Sequence, residues 1–199
     1  MSTSTPRTPR ADSRRNFSSV LTAARSVFAA EGIDAPLEDI AKAAGVGKGT
    51  LYRHFATREH LLAAVLADRW ATLGELAAEL DAGLPAPPSP DELRAAIRTW
   101  VSAYVNSGHE YPGSGAGIAA RLAAESEPVT DACSLMRKNF QQLLGRGYDA
   151  GVTRTDIDAQ EVLILISAVT GAARTSPVPQ AATRESRFVD VVLAGIEPA

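Results

Sequence analysis

The sequence predicts an all-α protein. Apolar residues recur at spacings of three and four along most of the chain, which is the period of an amphipathic helix. Alternation with a period of two is scarce, and no dipeptide typical of a hairpin turn joins two β-rich runs. Glycines and prolines stand at the ends of the periodic runs, where they end or begin helices.

Composition limits the class of protein. The chain has 199 residues, 45% of them hydrophobic, which suffices for a buried core. No run of about 18 uncharged apolar residues is present, so we expect no membrane span, and no apolar signal segment follows the first arginines. Cys133 is the only cysteine, which excludes an internal disulfide and favours a small buried residue over a reactive thiol. We expect a cytoplasmic protein.

Charge is uneven along the chain. Residues 1–70 carry ten Lys and Arg against seven Asp and Glu, and residues 71–199 carry ten against sixteen, which gives +3 and −6 within the total of −3. The net positive charge of residues 1–70 indicates that only this part of the chain binds a polyanion. Residues 1–14 are expected to form a flexible basic arm. Four arginines precede the first apolar helix, either in a solvated tail or in an arm that touches DNA: Arg7, Arg10, Arg14 and Arg15.

Two helices are predicted before residue 46. The first runs from Phe17 to the glycine of "EGID", Gly32, which ends it. Its apolar stripe contains Val20, Leu21, Ala24, Val27 and Phe28. Pro36 suits the first turn of a second, short helix, and Gly45 ends it.

Two more helices follow directly. In "VGKGTLYRHF", Leu51 and Phe55 are four residues apart and form a buried stripe. The opposite side carries Gly49, Thr50 and Arg53. Thr57 is placed to cap a fourth helix that runs from Arg58 to about Leu80.

Five further helical runs follow a stiff linker. The segment "DAGLPAPPSPDEL" holds four prolines and separates two parts of the protein. Ser89 or Asp91 can cap the next helix. The later runs are a short helix near 118–124, a longer one at about 128–150, the apolar "DAQEVLILISAVTGAA" and the closing "TRESRFVDVVLAGI".

The glycine-rich stretch "IAKAAGVGKGTLYRHF", residues 40–55, raises the question of a phosphate site. A phosphate-binding loop needs a strand before it, a glycine where this chain has Lys42, and Ser or Thr where it has Gly49. The stretch "GSGAG" lies in no strand-helix unit, so it is no dinucleotide site. Neither stretch is therefore predicted to bind a nucleotide.

A helix-turn-helix at about residues 37–56 explains the same stretch. In this motif two short helices pack at a steep angle and the second enters the major groove of DNA. Ala41 and Ala44 allow close helix contact, and Gly45 makes the turn. The outward set mixes donors, a hydroxyl and a cation, as base reading requires: Lys48, Gly49, Thr50, Tyr52, Arg53 and His54.

The segment "SVFAAEGIDAPLEDIAKAAGVGKGTLYRHFATREHLL" resembles the DNA-binding part of the TetR family of transcriptional regulators. That part typically reads "LF…G" and then "IA..AGVs.GTLY.HF..KE.L", so the match spans roughly residues 17 to 62. The resemblance implies a DNA-binding domain at 15–62 and a helical ligand-binding and dimerisation domain at 63–199, with about nine helices in all.

The resemblance also implies individual DNA contacts. The residues expected to approach bases are Lys48, Gly49, Thr50 and Tyr52, and those expected to hold phosphates are Tyr52, His54 and Arg58. Arg53 is an additional candidate. Arg58 stands where the family usually has Lys, which keeps the charge. Pro36 replaces the usual Thr and removes a hydroxyl that could cap the helix and touch a phosphate.

Enzymatic and metal chemistry are not predicted. The three histidines and one cysteine show no metal-ligand spacing, and the acidic residues of the second part are dispersed over helical faces. We expect no catalytic site, no metal and no cofactor.

The last two helices are expected to form a homodimer interface, as the resemblance implies. "VLILISAV" is apolar almost all round, and "FVDVVLAGI" supplies a partner helix. The predicted interface residues are Val162, Leu165, Ile166, Val169, Phe188 and Val192. The alternative is a helix buried in the core of a single protomer.

A pocket for a small-molecule effector is predicted between the later helices. Its expected lining is bulky and partly polar: Trp70, Trp100, Tyr104, Met136 and Phe140. The loop "NSGHEYPGSGAG" is the expected mouth. The alternative is that these side chains are plain core.

Together these features predict a homodimeric repressor that binds a palindromic operator in double-stranded DNA and is released by an unknown small molecule. A ligand-independent architectural DNA binder is the first alternative. A small helical enzyme is the second.

Overall fold

The computed structural model describes residues 9–108, 121–122, 124–175 and 185–198. All regular structure in these ranges is helical, and the predicted all-α class is confirmed. The helices are α1 (Pro9–Glu31), α2 (Leu37–Ala43), α3 (Lys48–His54), α4 (Arg58–Gly83), α5 (Pro90–Ser107), α6 (Glu127–Asp149), α7 (Ala159–Thr175) and α8 (Glu185–Ile196). Residues 121, 122, 124 and 125 are also helical, and the first three of them belong to the short helix predicted near 118–124. Residues 118–120 and 123 of that prediction lie outside the described ranges.

Helix α1 begins earlier than the sequence predicted. It starts at Pro9 rather than near Phe17, so residues 9–14 of the predicted flexible arm are helical. Proline is well suited to the first turn of a helix, because its φ is fixed near the helical value and its missing N–H would have no partner there. Asp12 in this first turn forms an ion pair with Arg15. Residues 1–8 of the arm lie outside the described part of the chain.

Two predicted caps are present. The Thr57 side chain accepts a hydrogen bond from the backbone N–H of His60, 3.2 Å away, and starts α4. Ser89, rather than Asp91, caps α5: its hydroxyl accepts from the N–H of Glu92, while the Glu92 carboxylate accepts from the N–H of Ser89. Such caps contribute about 1 kcal/mol each. The cap at Thr57 starts α4 with only three residues between it and α3.

The helices enclose two cores that meet in α4. We call α1, α2 and α3 the head, and α5 to α8 the body. The head core is formed by buried apolar residues, among them Val20, Phe28, Ile40, Leu51, Leu61 and Val65. Leu61 and Val65 come from the first turns of α4, whereas Leu66 and Trp70 of the same helix belong to the body core. A single helix therefore connects the two cores without a linker.

Helices α4 and α6 approach each other closely at Gly74. A Cβ atom added there would lie 3.1 Å from the Cα of Met136, and Asn139 Nδ2 donates to the Gly74 carbonyl at 2.9 Å. Helix α4 therefore packs against the backbone of α6 at this point.

Gly74→Leu is expected to lower the free energy of unfolding by about 1–3 kcal/mol, since the added side chain must push two buried helices apart. Gly145→Ala is the control, because a Cβ at Gly145 meets nothing within 4 Å. It is expected to raise the free energy of unfolding by about 0.5–1 kcal/mol through helix propensity. Urea denaturation followed by circular dichroism measures both. Equal stability of Gly74→Leu and the wild type would show that α4 and α6 can separate freely.

Candidate nucleic-acid interface

Helices α2 and α3 form a helix-turn-helix. Gly45 adopts a φ of 66°, in the left-handed region that glycine accepts readily. The N–H groups of Gly45 and Val46 donate to the carbonyls of Lys42 and Ala41 at 3.1 and 3.0 Å, which closes the turn. The inner sides of the two helices are buried against α1 and α4 through Ile40, Ala41, Leu51 and Phe55. The opposite side of α3 is left facing outward.

The outward side of α3 carries the residues predicted to touch bases. Lys48, Gly49 and Tyr52 are exposed, and Thr50 is half-buried. Tyr52 is 46% exposed although it is large and aromatic, so it has no role in the core. A Cβ at Gly49 would meet nothing within 4 Å, so no packing within the protein requires a glycine there. A glycine at this position would allow another molecule to approach the backbone closely.

Lys48 forms an ion pair that the sequence did not predict. Its Nζ lies 2.8 Å from Oε1 of Glu38, in the first turn of α2. The hydrogen bond raises the pKa of Lys48 and lowers the pKa of Glu38, so both groups are charged at neutral pH. Both side chains are exposed, so the pair adds little to stability. The pair places the ammonium group on the outward side, beside the start of α2.

Arg58 has a structural role that the sequence did not predict. Its Nη1 donates to the carbonyls of Ile33 at 2.8 Å and Ala35 at 2.6 Å, in the turn between α1 and α2. The guanidinium thus ties the first turn of α4 to the start of the helix-turn-helix. Its predicted phosphate contact stays a prediction. No sequence spacing could have identified carbonyl partners more than 20 residues upstream.

The imidazole of His54 is half-buried at the end of α3. Its ring lies edge-on to Phe17, with centroids 6.1 Å apart, and close to Phe55. Its Nε2 is buried and has no hydrogen-bond partner among the described residues. Arg53, by contrast, is exposed. The phosphate contact predicted for His54 therefore involves a ring that also packs into the head.

The five residues predicted to line an effector pocket lie in the body core. Trp100 and Phe140 are fully buried and their rings stack, with centroids 3.8 Å apart and planes at 13°. The ring of Tyr104 also stacks with that of Trp100, with centroids 5.6 Å apart, and Met136 and Trp70 are buried in the same core. Trp100 Nε1 donates to the carbonyl of Leu73 at 2.8 Å. No ligand fits between the stacked rings. Residues 109–117 of the predicted pocket mouth lie outside the described ranges.

The predicted interface residues divide into two groups. Val162 and Ile166 are buried in the core of the protomer, so they are not available for a dimer contact. Leu165 is exposed, and the half-buried ones are Val169, Phe188 and Val192. Because α7 is apolar all round, its sequence does not reveal which side the body covers. The exposed apolar side contains Ile164 and Leu165, with Val191 of α8 also exposed.

Metal sites, membrane spans and reactive thiols each require a particular arrangement of residues. They contain no group of three or more potential metal ligands, and none of their helices is long and apolar enough to cross a membrane. Cys133 is half-buried, and burial raises the pKa of its thiol. A raised thiol pKa disfavours the reactive thiolate.

Comparisons with known proteins agree with this geometry. Residues 20–65 match the family model "Bacterial regulatory proteins, tetR family", and residues 93–198 match "Transcriptional regulator SbtR-like, C-terminal domain". A curated relative, the uncharacterized HTH-type transcriptional regulator TtgW of Pseudomonas putida, is 42% identical over 60 residues. That match covers 30% of this chain and 45% of TtgW, so the chain spans less than half of the length of this relative.

Solved structures match over most of their length. A TetR transcriptional regulator from Streptomyces coelicolor is 32% identical, with 92% of this chain and 98% of that chain covered and a TM-score of 0.63. A TetR regulatory protein from Mycobacterium vanbaalenii is 28% identical, with 95% and 99% covered and a TM-score of 0.62. LfrR from Mycobacterium smegmatis, solved in complex with proflavine, shares the fold at 20% identity, with 92% and 94% covered and a TM-score of 0.61. Since one family model covers more than half of the chain and another covers the helix-turn-helix, this chain belongs to the TetR family of DNA-binding bacterial transcriptional regulators.

Proposed function

We propose that the protein is a homodimeric repressor that binds a palindromic operator and is released by a small molecule. The observation that carries the proposal is the outward side of α3, where base-reading side chains are exposed while the inner side is locked into the head core. A helix-turn-helix reads the major groove with the N-terminal residues of its second helix. Lys48, Gly49 and Thr50 occupy those positions in α3.

The DNA contacts divide into two kinds. Lys48, Gly49, Thr50 and Tyr52 are proposed to approach base edges, where ammonium and hydroxyl groups discriminate between base pairs. Tyr52, His54 and Arg58 are proposed to hold phosphates, with Arg53 as a neighbouring cation. Phosphate contacts set affinity and orientation but carry no direct sequence information.

Dimerisation is proposed to use the exposed sides of α7 and α8. Ile164 and Leu165 are 58% and 46% exposed, and Val191 is 64% exposed. Exposed apolar residues clustered on neighbouring helices are typical of protein interfaces. The half-buried Val169, Phe188 and Val192 are proposed to flank this surface. A two-fold dimer presents two α3 helices to two half-sites, as a palindrome requires.

The body is proposed to hold the effector. LfrR, which shares this fold, was solved with a bound small molecule. The stacked rings of Trp100 and Phe140 would form a rigid wall of such a pocket. Tyr104 hydrogen-bonds to Ser167 of α7 at 2.9 Å, so this wall is linked to a helix of the proposed interface.

Selection of DNA fragments by the purified protein, followed by sequencing, tests the proposal. The expected result is an enriched palindrome whose half-sites are about 10–10.5 base pairs apart from centre to centre, or a multiple of that. Retention of DNA without any enriched sequence would instead support the architectural DNA binder.

Arg58→Ala is expected to have two effects. It should weaken binding to all duplexes alike and lower the slope of log affinity against log salt by about 1, because one phosphate contact is lost. It should also lower the stability of the head by about 1.5–3 kcal/mol, because hydrogen bonds from a charged group to two carbonyls are lost. Salt-dependent binding and thermal melting measure these separately, with Arg58→Lys as the variant that keeps the charge. A changed sequence preference at an unchanged salt slope would contradict the phosphate role.

A further inference from the structure

A cavity of about 620 Å³ lies between the head and the body. The head contributes Phe17 and Leu21 of α1 and the end of α3, and the body contributes Pro128 and Ala132 of α6. Its volume lies within the range of about 300–1,000 Å³ that is usual for small-molecule sites. None of the five residues of the predicted effector pocket lines it.

Alanines of α4 line one side of this cavity. Ala63, Ala67 and Ala71 recur every four residues and lie on one side of the helix, and Ala64 lies beside them. All four are half-buried. Leucine at any of them would place three more carbon atoms in the cavity, so the space exists because these side chains are small.

The lining also includes four polar side chains, those of His54, His60, Asp68 and Ser126. His54 belongs to the head, and its Nε2 is buried without a hydrogen-bond partner among the described residues. Ser126 belongs to the body, and its hydroxyl makes no capping bond at the start of α6. The carboxylate of Asp68, also in the lining, is paired with Arg25 at 3.3 Å. The hydroxyl of Ser126 is therefore the polar group that the lining offers to a ligand.

We propose that this cavity is a binding site for a neutral, largely apolar small molecule with one hydrogen-bonding group. The apolar part of the molecule lies on the alanines of α4 and against Phe17, while its polar group reaches Ser126. The carboxylate of Asp68 is already paired with Arg25, so it offers no free charge that would favour an ionic ligand. This inference rests on the proposed repressor function and adds to it a second small-molecule site, outside the body core.

The position of the cavity couples the ligand to DNA binding. One wall includes His54 at the end of the reading helix, and the opposite wall is the start of α6. An occupied cavity cannot narrow, so the ligand holds the head at one separation from the body. Two heads must be spaced correctly to fit both half-sites. The ligand therefore opposes any arrangement with a narrower cavity, and it weakens operator binding when the operator-bound arrangement is the narrower one.

The fluorescent probe N-phenyl-1-naphthylamine, which is neutral, apolar and carries one N–H, tests the site. We expect the fluorescence of the probe to rise and then saturate as full-length wild-type protein is added in the absence of DNA. Ala71→Leu and Ala67→Leu should each weaken probe binding about tenfold or more. Ala78→Leu is the matched control, because Ala78 is exposed on the same helix outside the cavity. Circular dichroism establishes whether each variant is folded. The two variants that fill the cavity, Ala71→Leu and Ala67→Leu, are both made so that one can be measured if the other does not fold.

The coupling is tested with the operator obtained by fragment selection. The probe should weaken operator binding by the wild type and by Ala78→Leu, and much less by a folded filling variant, each compared with its own affinity without probe. Equal probe binding by all folded proteins, or no saturable binding, would overturn the site. Unchanged or tighter operator binding in the presence of bound probe would overturn the coupling. If no operator is found, the repressor proposal fails and the coupling with it, while probe binding still decides the site.

Discussion

Leu165→Glu is expected to convert the dimer into a monomer and to weaken operator binding by about 10²-fold or more. The side chain is 46% exposed on α7, so a carboxylate there is solvated in the folded monomer but would be desolvated in the interface. A monomer engages one half-site and loses the effective concentration that tethers the second head. Analytical ultracentrifugation and operator titration measure the two effects.

Two further variants make this test specific. Leu135→Glu changes a similarly exposed leucine on α6, outside the proposed interface, and should leave the dimer intact. Ile166→Glu should unfold the protomer instead, because Ile166 is buried and a charge there has no partner. A dimer that persists in the Leu165→Glu variant would place the interface on another surface.

Lys48→Ala is expected to relax the sequence preference for one base pair in each half-site by roughly 1–3 kcal/mol. The ammonium lies on the outward side of α3, 2.8 Å from Oε1 of Glu38, where base edges can be reached. Lys42→Ala is the control, because Lys42 is an exposed cation of α2 that is not assigned to a base. It should weaken binding to all sequences without changing their order. Binding to the operator and to every single-base variant of it measures the preference.

Glu38→Gln extends this test. It removes a negative charge that the phosphates of bound DNA would repel, so affinity for all duplexes should rise. It also frees the ammonium of Lys48, so discrimination at the Lys48 base pair should fall. An unchanged base preference in Lys48→Ala would show that Lys48 does not read a base.

Local signals made much of the fold predictable. The turn at Gly45, the cap at Thr57 and the buried pair Leu51 and Phe55 follow from residues a few positions apart, and the structure contains all of them. Helix α1 was predicted too short, because residues 9–14 lack the apolar period although they tolerate a helix.

Features that depend on the neighbouring helices were not predictable. Ile166 and Leu165 are adjacent and equally apolar, and only the packing of α7 decides that the first is buried and the second exposed. The same holds for Arg58, whose carbonyl partners belong to a distant turn. Trp100 and Phe140 come from different helices, so their stacking could not be deduced from either one.

The continuity of α4 sets a rule for hybrids between this protein and related regulators. The helix has 26 residues, about 39 Å, and passes from the head core to the body core between Val65 and Leu66. One residue gained or lost at a splice would rotate the head against the body by about 100° and shift it by about 1.5 Å. A functional hybrid therefore requires both parents to be joined within α4 in the same helical phase, whereas a loop linker would tolerate a change in length.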